Sequence, residues 1–445
     1  MAEAQGLLDR LARAPALFAL ALGVRAAYFA WTGTAPAALF HPDSQLFVEL
    51  AQSPGWWTGH PERMPAYPIF LRLHFIVFGS GAFWAPVATQ FVVDALSCIA
   101  IARTAELLKT GAGRWAGLFA AFNPTQIVIA GVLLGDSLYM ACIAGGLLAL
   151  ARWWHAPAAA RAGAAFRTGC WLGLGLLNRA VIWPFVPVLA FVMLLARGIR
   201  APDWRSAAIA ACTIAACAAP VIAHNWVAYG KPALSAQGGV HMAKWWYPLV
   251  REAADGTPYA TTLDAVSAEF DARGGVRDRE NWFGNEAIYA GIARDGLAAV
   301  GPVGIVKAWI FGAAINLASP ATLMIPKVMA LPHAGFYMTQ GAGPIEKAVN
   351  FLRESLGQPY LAWLAGGVAV EWPLHFLAVV GVLVALRRRD IRPAALFAIL
   401  WIGYVLAIQG PVASAKYRLP IEPVCMVFAA LALSRPKADP GFSRS

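Results

Sequence analysis

Apolar runs of membrane-spanning length recur along the whole chain, and most charges fall in the gaps between them. A hydrocarbon layer about 30 Å thick takes roughly 20 apolar residues of helix to cross. Within that layer each helix satisfies its own backbone hydrogen bonds. The pattern therefore reads as an all-α, polytopic transmembrane bundle of roughly ten to twelve spans. Composition agrees: 59% of residues are hydrophobic and only 13% charged, against ~25% charged in a soluble domain. Mean hydropathy is +0.58. A water-soluble surface could not be built from so few charges, whereas lipid solvates apolar surface directly.

The runs place spans at about Ala14 to Trp31, Phe83 to Ala105, Trp115 to Leu133 and Asp136 to Trp153. Gly169 to Leu177 follows, broken at Asn178-Arg179, then Val181 to Ala196 and Ala207 to Ala223. Pro302 to Ala318, Leu361 to Leu386, Ala394 to Ile408 and Leu419 to Leu433 complete the set. Tyr67 to Phe78 is too short to cross and reads as a re-entrant or interfacial piece. Three regions result. Residues 1–223 form an N-terminal transmembrane module with an outer loop at 32–82. Residues 224–300 form an extracytoplasmic amphipathic region, and residues 301–445 carry the C-terminal transmembrane helices. The first run follows a basic start but is interrupted by Arg25 and has no clear small-residue cleavage site, so it reads as a retained span.

The net charge of +11 does not point to nucleic acid, because its cations sit in short clusters between apolar runs. These are Arg10 and Arg13; Arg103, Lys109 and Arg114; Arg152, Arg161 and Arg167; Arg197, Arg200 and Arg205; and Arg387 to Arg389 with Arg392. This is the positive-inside pattern of cytoplasmic loops. It puts the N-terminus in the cytoplasm and the loops holding Asp43, Glu62-Arg63, Asp136, Arg179 and Lys416 to Arg418 on the opposite face. The second half then requires one extra crossing between Pro302 and Gly367. The six cysteines lie in or beside apolar runs with no CxxC pair, and read as small buried hydrophobes.

Charges near membrane depth are costly, so their gathering on one face points to a site. Asp43, in His41-Pro42-Asp43-Ser44, has two compatible readings, an N-cap for the following helix or a general base. In Pro61-Glu62-Arg63-Met64-Pro65-Ala66-Tyr67-Pro68, the prolines stiffen a turn. Arg63 there is either an interface anchor or a phosphate fork. Asp136 is a cap or a second site carboxylate, and Arg179 a snorkelling anchor or a functional cation. Lys416-Tyr417-Arg418 puts two cations on the outer face against the positive-inside trend, which suits either a phosphate ligand or anionic headgroups. No HExxH, Walker A, GxSxG or dinucleotide-binding pattern occurs, and no metal-ligand spacing is present.

In the order of these features the chain resembles the GT-C superfamily of polyprenyl-phosphate-dependent membrane glycosyltransferases, the branch similar to bacterial protein O-mannosyltransferases and aminoarabinose transferases. The matching phrases are Asp43 with Phe47 and Ala51; Arg63, Pro65, Tyr67 and Pro68; and Asn123-Pro124 leading to Asp136. Gly173 to Arg179, His224-Asn225 to Gly230, and Lys416 to Pro420 follow. Three positions depart from the family: Ser44 where Glu is common, Asp136 where Glu is common, and His224 where Arg is common. The resemblance implies a hexosyl- or pentosyltransferase of the inner (plasma) membrane with its active face outside. The sugar would pass with inversion from a polyprenyl-phosphate donor to a hydroxyl of a glycan, lipid or protein acceptor. It implies Asp43 and Asp136 as catalytic residues, and Arg63, Arg179, Lys416 and Arg418 as ligands of the donor phosphate. Glu62, Tyr67, His224 and Tyr417 are further site candidates. The implied partners are donor, acceptor and bilayer, with no nucleic acid and no cofactor; a divalent metal is not indicated. The competing classes are a flippase or transporter of lipid-linked sugars, which would show paired broken helices, and a non-catalytic membrane assembly protein.

Overall fold

The computed structural model describes residues 13–54, 60–195, 202–276, 281–341 and 343–434. Arg10, Arg197, Arg200 and the run Arg277, Asp278, Arg279 and Glu280 lie outside the described residues. Within them the fold is all-α, with no strand beyond an isolated bridge between His60 and Arg63. In chain order the main helices are α1 (Ala14–Thr32), α2 (Ser44–Gln52), α3 (Ala66–Phe78), α4 (Trp84–Leu108), α5 (Gly113–Phe122) and α6 (Pro124–Ala130). Next come α7 (Asp136–His155), α8 (Ala158–Asn178), α9 (Val186–Leu195), α10 (Trp204–Tyr229), α11 (Tyr247–Asp255) and α12 (Tyr259–Ala272). The last are α13 (Trp282–Ala318), α14 (Pro344–Glu354), α15 (Pro359–Arg387), α16 (Arg392–Gln409) and α17 (Glu422–Leu433).

Seven of the described helices, α1, α4, α7, α10, α13, α15 and α16, are long and apolar enough to cross a membrane. The chain is a multi-pass membrane protein. The other expected spans exist but are short or broken. Asn123-Pro124 divides one into α5 and α6, because proline lacks the N–H that would continue the ladder. Arg179 ends α8, and α9 starts only after a 3-10 turn over Ala180–Phe185.

The two ends of the bundle differ in charge. At one end Lys109 donates to the carbonyls of Leu431 and Ser434, the last turn of α17. There too Arg161 pairs with Asp203 at 3.7 Å, and the Asp203 N–H donates to the Leu194 carbonyl at 3.1 Å. The basic loops therefore share that end. The loops holding Asp43, Asp136, Arg179 and Lys416 share the other.

Helix α13 corrects the crossing count. Its 37 residues would span about 55 Å if straight. Gly301, at φ 83° and ψ 171°, breaks it just before Pro302; only glycine adopts such a backbone cheaply. Both ends of α13 return to the site end. The Trp282 ring meets His60 at 4.6 Å. Asn316 donates to the Val412 carbonyl and accepts from the Ser414 N–H, each at 2.8 Å. Helix α11 packs along α13, with Ala254 against Gly304. The expected extra crossing between Pro302 and Gly367 is absent among the described residues, where Ser319 to Gln358 forms turns and the short helix α14. With both ends of α13 on one side, no extra crossing is needed.

Small residues set the close helix packing, as expected in lipid. Gly173 is an instance: a Cβ there would lie 2.5 Å from Cys217 Sγ on α10. The glycine of the Gly173–Arg179 phrase therefore lets α8 and α10 meet. Cys98, Cys142 and Cys425 are buried and unpaired as read, whereas Cys212 is exposed on α10.

Candidate active site at one end of the bundle

Asp43 stands at the N-cap position of α2, but its side chain makes no capping hydrogen bond. The local turn is held without it. The Asp43 N–H donates to His41 Nδ1 at 3.2 Å, and the His41 N–H donates to Ser44 Oγ at 2.8 Å. The carboxylate is thus free for other partners. It accepts from Lys416 Nζ at 2.6 Å and lies 3.8 Å from Arg63. Burial alone would raise the Asp43 pKa; Lys416, then His41 and Arg63, outweigh it and hold the carboxyl below its usual range. His41 is pushed down to about 4 by burial and by Lys416, so at neutral pH it is an uncharged acceptor.

A second ion pair stands beside the first. Asp136, the first residue of α7, meets Arg179 at 2.7 Å. The Arg179 guanidinium lies 5.9 Å from both the Tyr139 and Tyr417 ring centres, and Lys416 lies 5.4 Å from Tyr417. Tyr417 thus separates the two cations while its ring face attracts both. Arg179 and Lys416 each act on His41, so the two pairs form one electrostatic unit. The loop before α2, the turn before α7, the end of α8 and the turn before α17 all contribute to it. Asp43 is its most open member, with 37% of its side chain exposed against 15% for Lys416 and 6% for Asp136.

The remaining expected residues divide. Arg63 packs over Phe47 at 5.7 Å and faces Asp43. Glu62 acts through its backbone, its carbonyl accepting from Arg63 and its N–H donating to His60. Tyr67 is buried, donates to Gln90 at 2.8 Å and walls the Gly135 turn that leads to Asp136. His224 stays outside the cluster, its ring meeting Tyr229 at 6.2 Å.

Arg418 corrects the phosphate-ligand assignment. It is fully buried, and its five N–H groups are all engaged. They donate to Glu422 at 2.6 Å, the Asn316 and Ser319 carbonyls at 3.0 and 2.6 Å, Thr125 at 3.1 Å, and Glu371. A guanidinium has five such donors, so none remains for a ligand. Residues two apart on a helical turn point about 200° apart. Arg418 anchored inward therefore turns Lys416 toward Asp43.

That anchor belongs to a buried network around the Asn123-Pro124 break. Asn123 caps α6 through the Gln126 N–H and donates to Glu422, both at 2.9 Å. Gln126 donates to Asp94 at 3.0 Å, and Asp94 pairs with Arg25 at 2.6 Å. Arg25 donates in turn to the Ala120 and Ala121 carbonyls at 3.1 and 2.6 Å, in the last turn of α5.

Sequence reasoning missed two histidines. His41 lay in a quoted motif without a role. His241 is pushed down to about 4 by burial, then by Arg179 and Lys416; nothing in Gly238–His241 signals that neighbourhood. Among the described residues no group of three or more His, Cys, Asp or Glu is placed to hold a metal ion.

No protein-family model matches the chain, and no curated protein matches it. Among solved structures it is similar to the archaeal oligosaccharyltransferase AglB from Archaeoglobus fulgidus in complex with an inhibitory peptide and a dolichol-phosphate. The identity is 15%, the TM-score is 0.45, and the match covers 94% of this chain and 50% of that one. It is also similar to ArnT from Cupriavidus metallidurans bound to undecaprenyl phosphate, at 17% identity and TM-score 0.39, covering 94% of this chain and 77% of that one. The apo state of ArnT matches at 16% identity and TM-score 0.37, over 90% and 73%. The chain spans half the length of the oligosaccharyltransferase. The likeness concerns the run of helices and assigns no residue.

Proposed function

We propose that the chain is a membrane glycosyltransferase that moves a sugar from a polyprenyl-phosphate donor to an acceptor hydroxyl at the outer face of the inner membrane. The observation that carries this reading is the pairing of Asp43 with Lys416 beside Asp136 with Arg179, with Asp43 the open member. Lys416, Arg63 and Arg179 supply positive charge where a departing phosphate gains negative charge. Asp43 is ionised at neutral pH and free of capping duty, as a base must be. Asp136 orients Arg179.

In the resting state Lys416 masks one Asp43 oxygen. An incoming donor phosphate competes for Lys416 and uncovers that oxygen for the acceptor. The acceptor O–H then gives its proton to Asp43 as its oxygen bonds to the anomeric carbon. The bond from that carbon to the phosphate oxygen breaks on the opposite side, inverting the centre. The electron pair leaves with polyprenyl phosphate, held by the cations.

Incubating the purified protein in lipid nanodiscs with a panel of polyprenyl-phosphate sugars and a mixture of glycan, lipid and peptide hydroxyl acceptors tests the proposal. Donor-dependent release of polyprenyl phosphate is expected. Release from none of the panel would overturn it in favour of transport or scaffolding.

A further inference from the structure

One side chain in the charge cluster carries a hydrogen-bond donor that neither the fold nor the transfer step above uses. His41 stands in the loop before α2, with 11% of its side chain exposed. We propose that His41 is a ligand of the donor phosphate, its Nε2–H donating to a phosphate oxygen of the polyprenyl-phosphate sugar and of the polyprenyl phosphate that leaves; this rests on the glycosyltransferase reading above.

Hydrogen bonding fixes which ring nitrogen holds the proton. Nδ1 accepts from the Asp43 N–H at 3.2 Å, so it bears none. Burial first, then Lys416, pushes the ring down to about 4, which leaves it uncharged at neutral pH. A neutral imidazole has one N–H, and an acceptor at Nδ1 puts it on Nε2. That N–H has no acceptor among the described residues, and the nitrogen is not sealed from solvent. The residue itself is held firmly. Its backbone N–H donates to Oγ of the fully buried Ser44 at 2.8 Å, so the donor is positioned before any ligand arrives.

The cluster sets the ring beside the place a phosphate must take. Lys416 Nζ and His41 Nδ1 approach the same Asp43 oxygen, Oδ2, at 2.6 and 3.7 Å. Ammonium and imidazole therefore flank one atom. Asp136 and Arg179 of the second pair also act on the ring, which sets it between the two pairs. With Nδ1 turned to the Asp43 backbone, Nε2 lies on the far side of the ring. A phosphate that draws Lys416 away from Asp43 thus arrives next to the imidazole.

Charge favours a phosphate oxygen over a sugar hydroxyl as the acceptor. Lys416 and Arg179 both lower His41, so the ligand that settles among them is anionic. A hydrogen bond to an ionised oxygen is roughly twice as strong as one between neutral groups. An uncharged donor adds such a bond without adding repulsion among Lys416, Arg63 and Arg179. It also supplies the further phosphate contact that Arg418, anchored inward, does not make.

The test measures binding of farnesyl phosphate, a short polyprenyl phosphate, to the full chain in nanodiscs at pH 7, with farnesol as the phosphate-free control and melts in parallel. His41→Asn keeps an acceptor near the Nδ1 position for the Asp43 N–H but has no donor near Nε2. His41→Gln does the reverse. His41→Asn should weaken farnesyl phosphate binding about tenfold or more and leave farnesol unchanged, while His41→Gln stays within about threefold of wild type. A role confined to holding the turn gives the opposite order. Undiminished binding by His41→Asn, weaker binding by His41→Gln than by His41→Asn, or an equal loss for farnesol would overturn the inference and leave the glycosyltransferase reading standing. If His41→Asn fails to fold, His41→Gln decides alone, and its loss of phosphate binding overturns the inference. No farnesyl phosphate binding by the wild-type protein would sink both. Absence of sugar transfer alongside His41-dependent phosphate binding would sink the transferase reading and not the phosphate contact.

Discussion

Replacing Arg418 with methionine separates a structural anchor from a phosphate ligand. The side chain is fully buried, with all five donors engaged and two carboxylates, Glu371 and Glu422, against it. Removing one partner of a buried ion pair costs about 3–5 kcal/mol, because the charge left behind is desolvated and unpaired. Here two carboxylates are left. Taking the cost as ~3–5 kcal/mol and at most about 2 °C per kcal/mol for a chain of this size, the melting temperature should fall by several degrees, up to roughly 10 °C. Arg418→Lys keeps the charge but offers three donors for five acceptors, so it should fall in between. Methionine at 418 with Glu371→Gln and Glu422→Gln removes the whole charged set and should recover much of the loss, since a buried pair often does little better than apolar replacements. The assay is thermal unfolding in detergent or nanodiscs, followed by intrinsic Trp fluorescence. If Arg418→Met melts with the wild-type protein and instead raises the donor KM, the anchor account is refuted.

Three further outcomes follow from the same geometry. The Asp43 carboxyl is held below its usual range despite burial, by Lys416 first, so the acid limb of the rate–pH profile should lie below that of an ordinary carboxylate; Lys416→Met should move the acid limb upward and raise the donor KM. His41 and His241 are both lowered to about 4 from 6.5, so the unfolded chain binds more protons between those values and stability should fall as pH drops from 6.5 toward 4; replacing both with Asn should flatten that slope in a pH series of melts. Arg25→Leu leaves Asp94 without its cation and takes a donor from two helix-end carbonyls inside the bundle, and should destabilise by about 3 kcal/mol or more, with Arg25→Leu combined with Asp94→Asn melting higher than the single variant.

Much of the fold was legible because lipid imposes simple rules. Apolar run lengths located the helices, and cation clusters assigned the ends. That assignment put Asp43, Glu62, Arg63, Asp136, Arg179, Lys416 and Arg418 on one face; it did not say that Asp43 would pair with Lys416 and Asp136 with Arg179 while Arg418 turned inward. Two features were not legible. A run such as Pro302 to Ala318 has the length and hydropathy of a span, yet α13 begins and ends at one end of the bundle; hydropathy measures length and not direction. Arg418 looked like a second outer cation because its partners, Glu371 and Glu422, were read as parts of apolar helices. The Arg418–Glu422 pair is an i,i+4 spacing that the sequence carries, but the pairing with Glu371 and the bond to Thr125 span some 50 residues or more, which local pattern cannot carry. His224 was placed by the order of motifs, and order does not fix which side of α10 it occupies.

The most direct test of the central claim compares wild-type protein with Asp43→Asn in donor-dependent transfer, with thermal melts run in parallel. Asp43 is partly open and Asn keeps an acceptor oxygen for Lys416, so the substitution should lower melting far less than Arg418→Met does, while transfer falls by about 10²–10⁴-fold, the usual contribution of a positioned base. Wild-type transfer rates in Asp43→Asn, with the fold intact, would contradict the account.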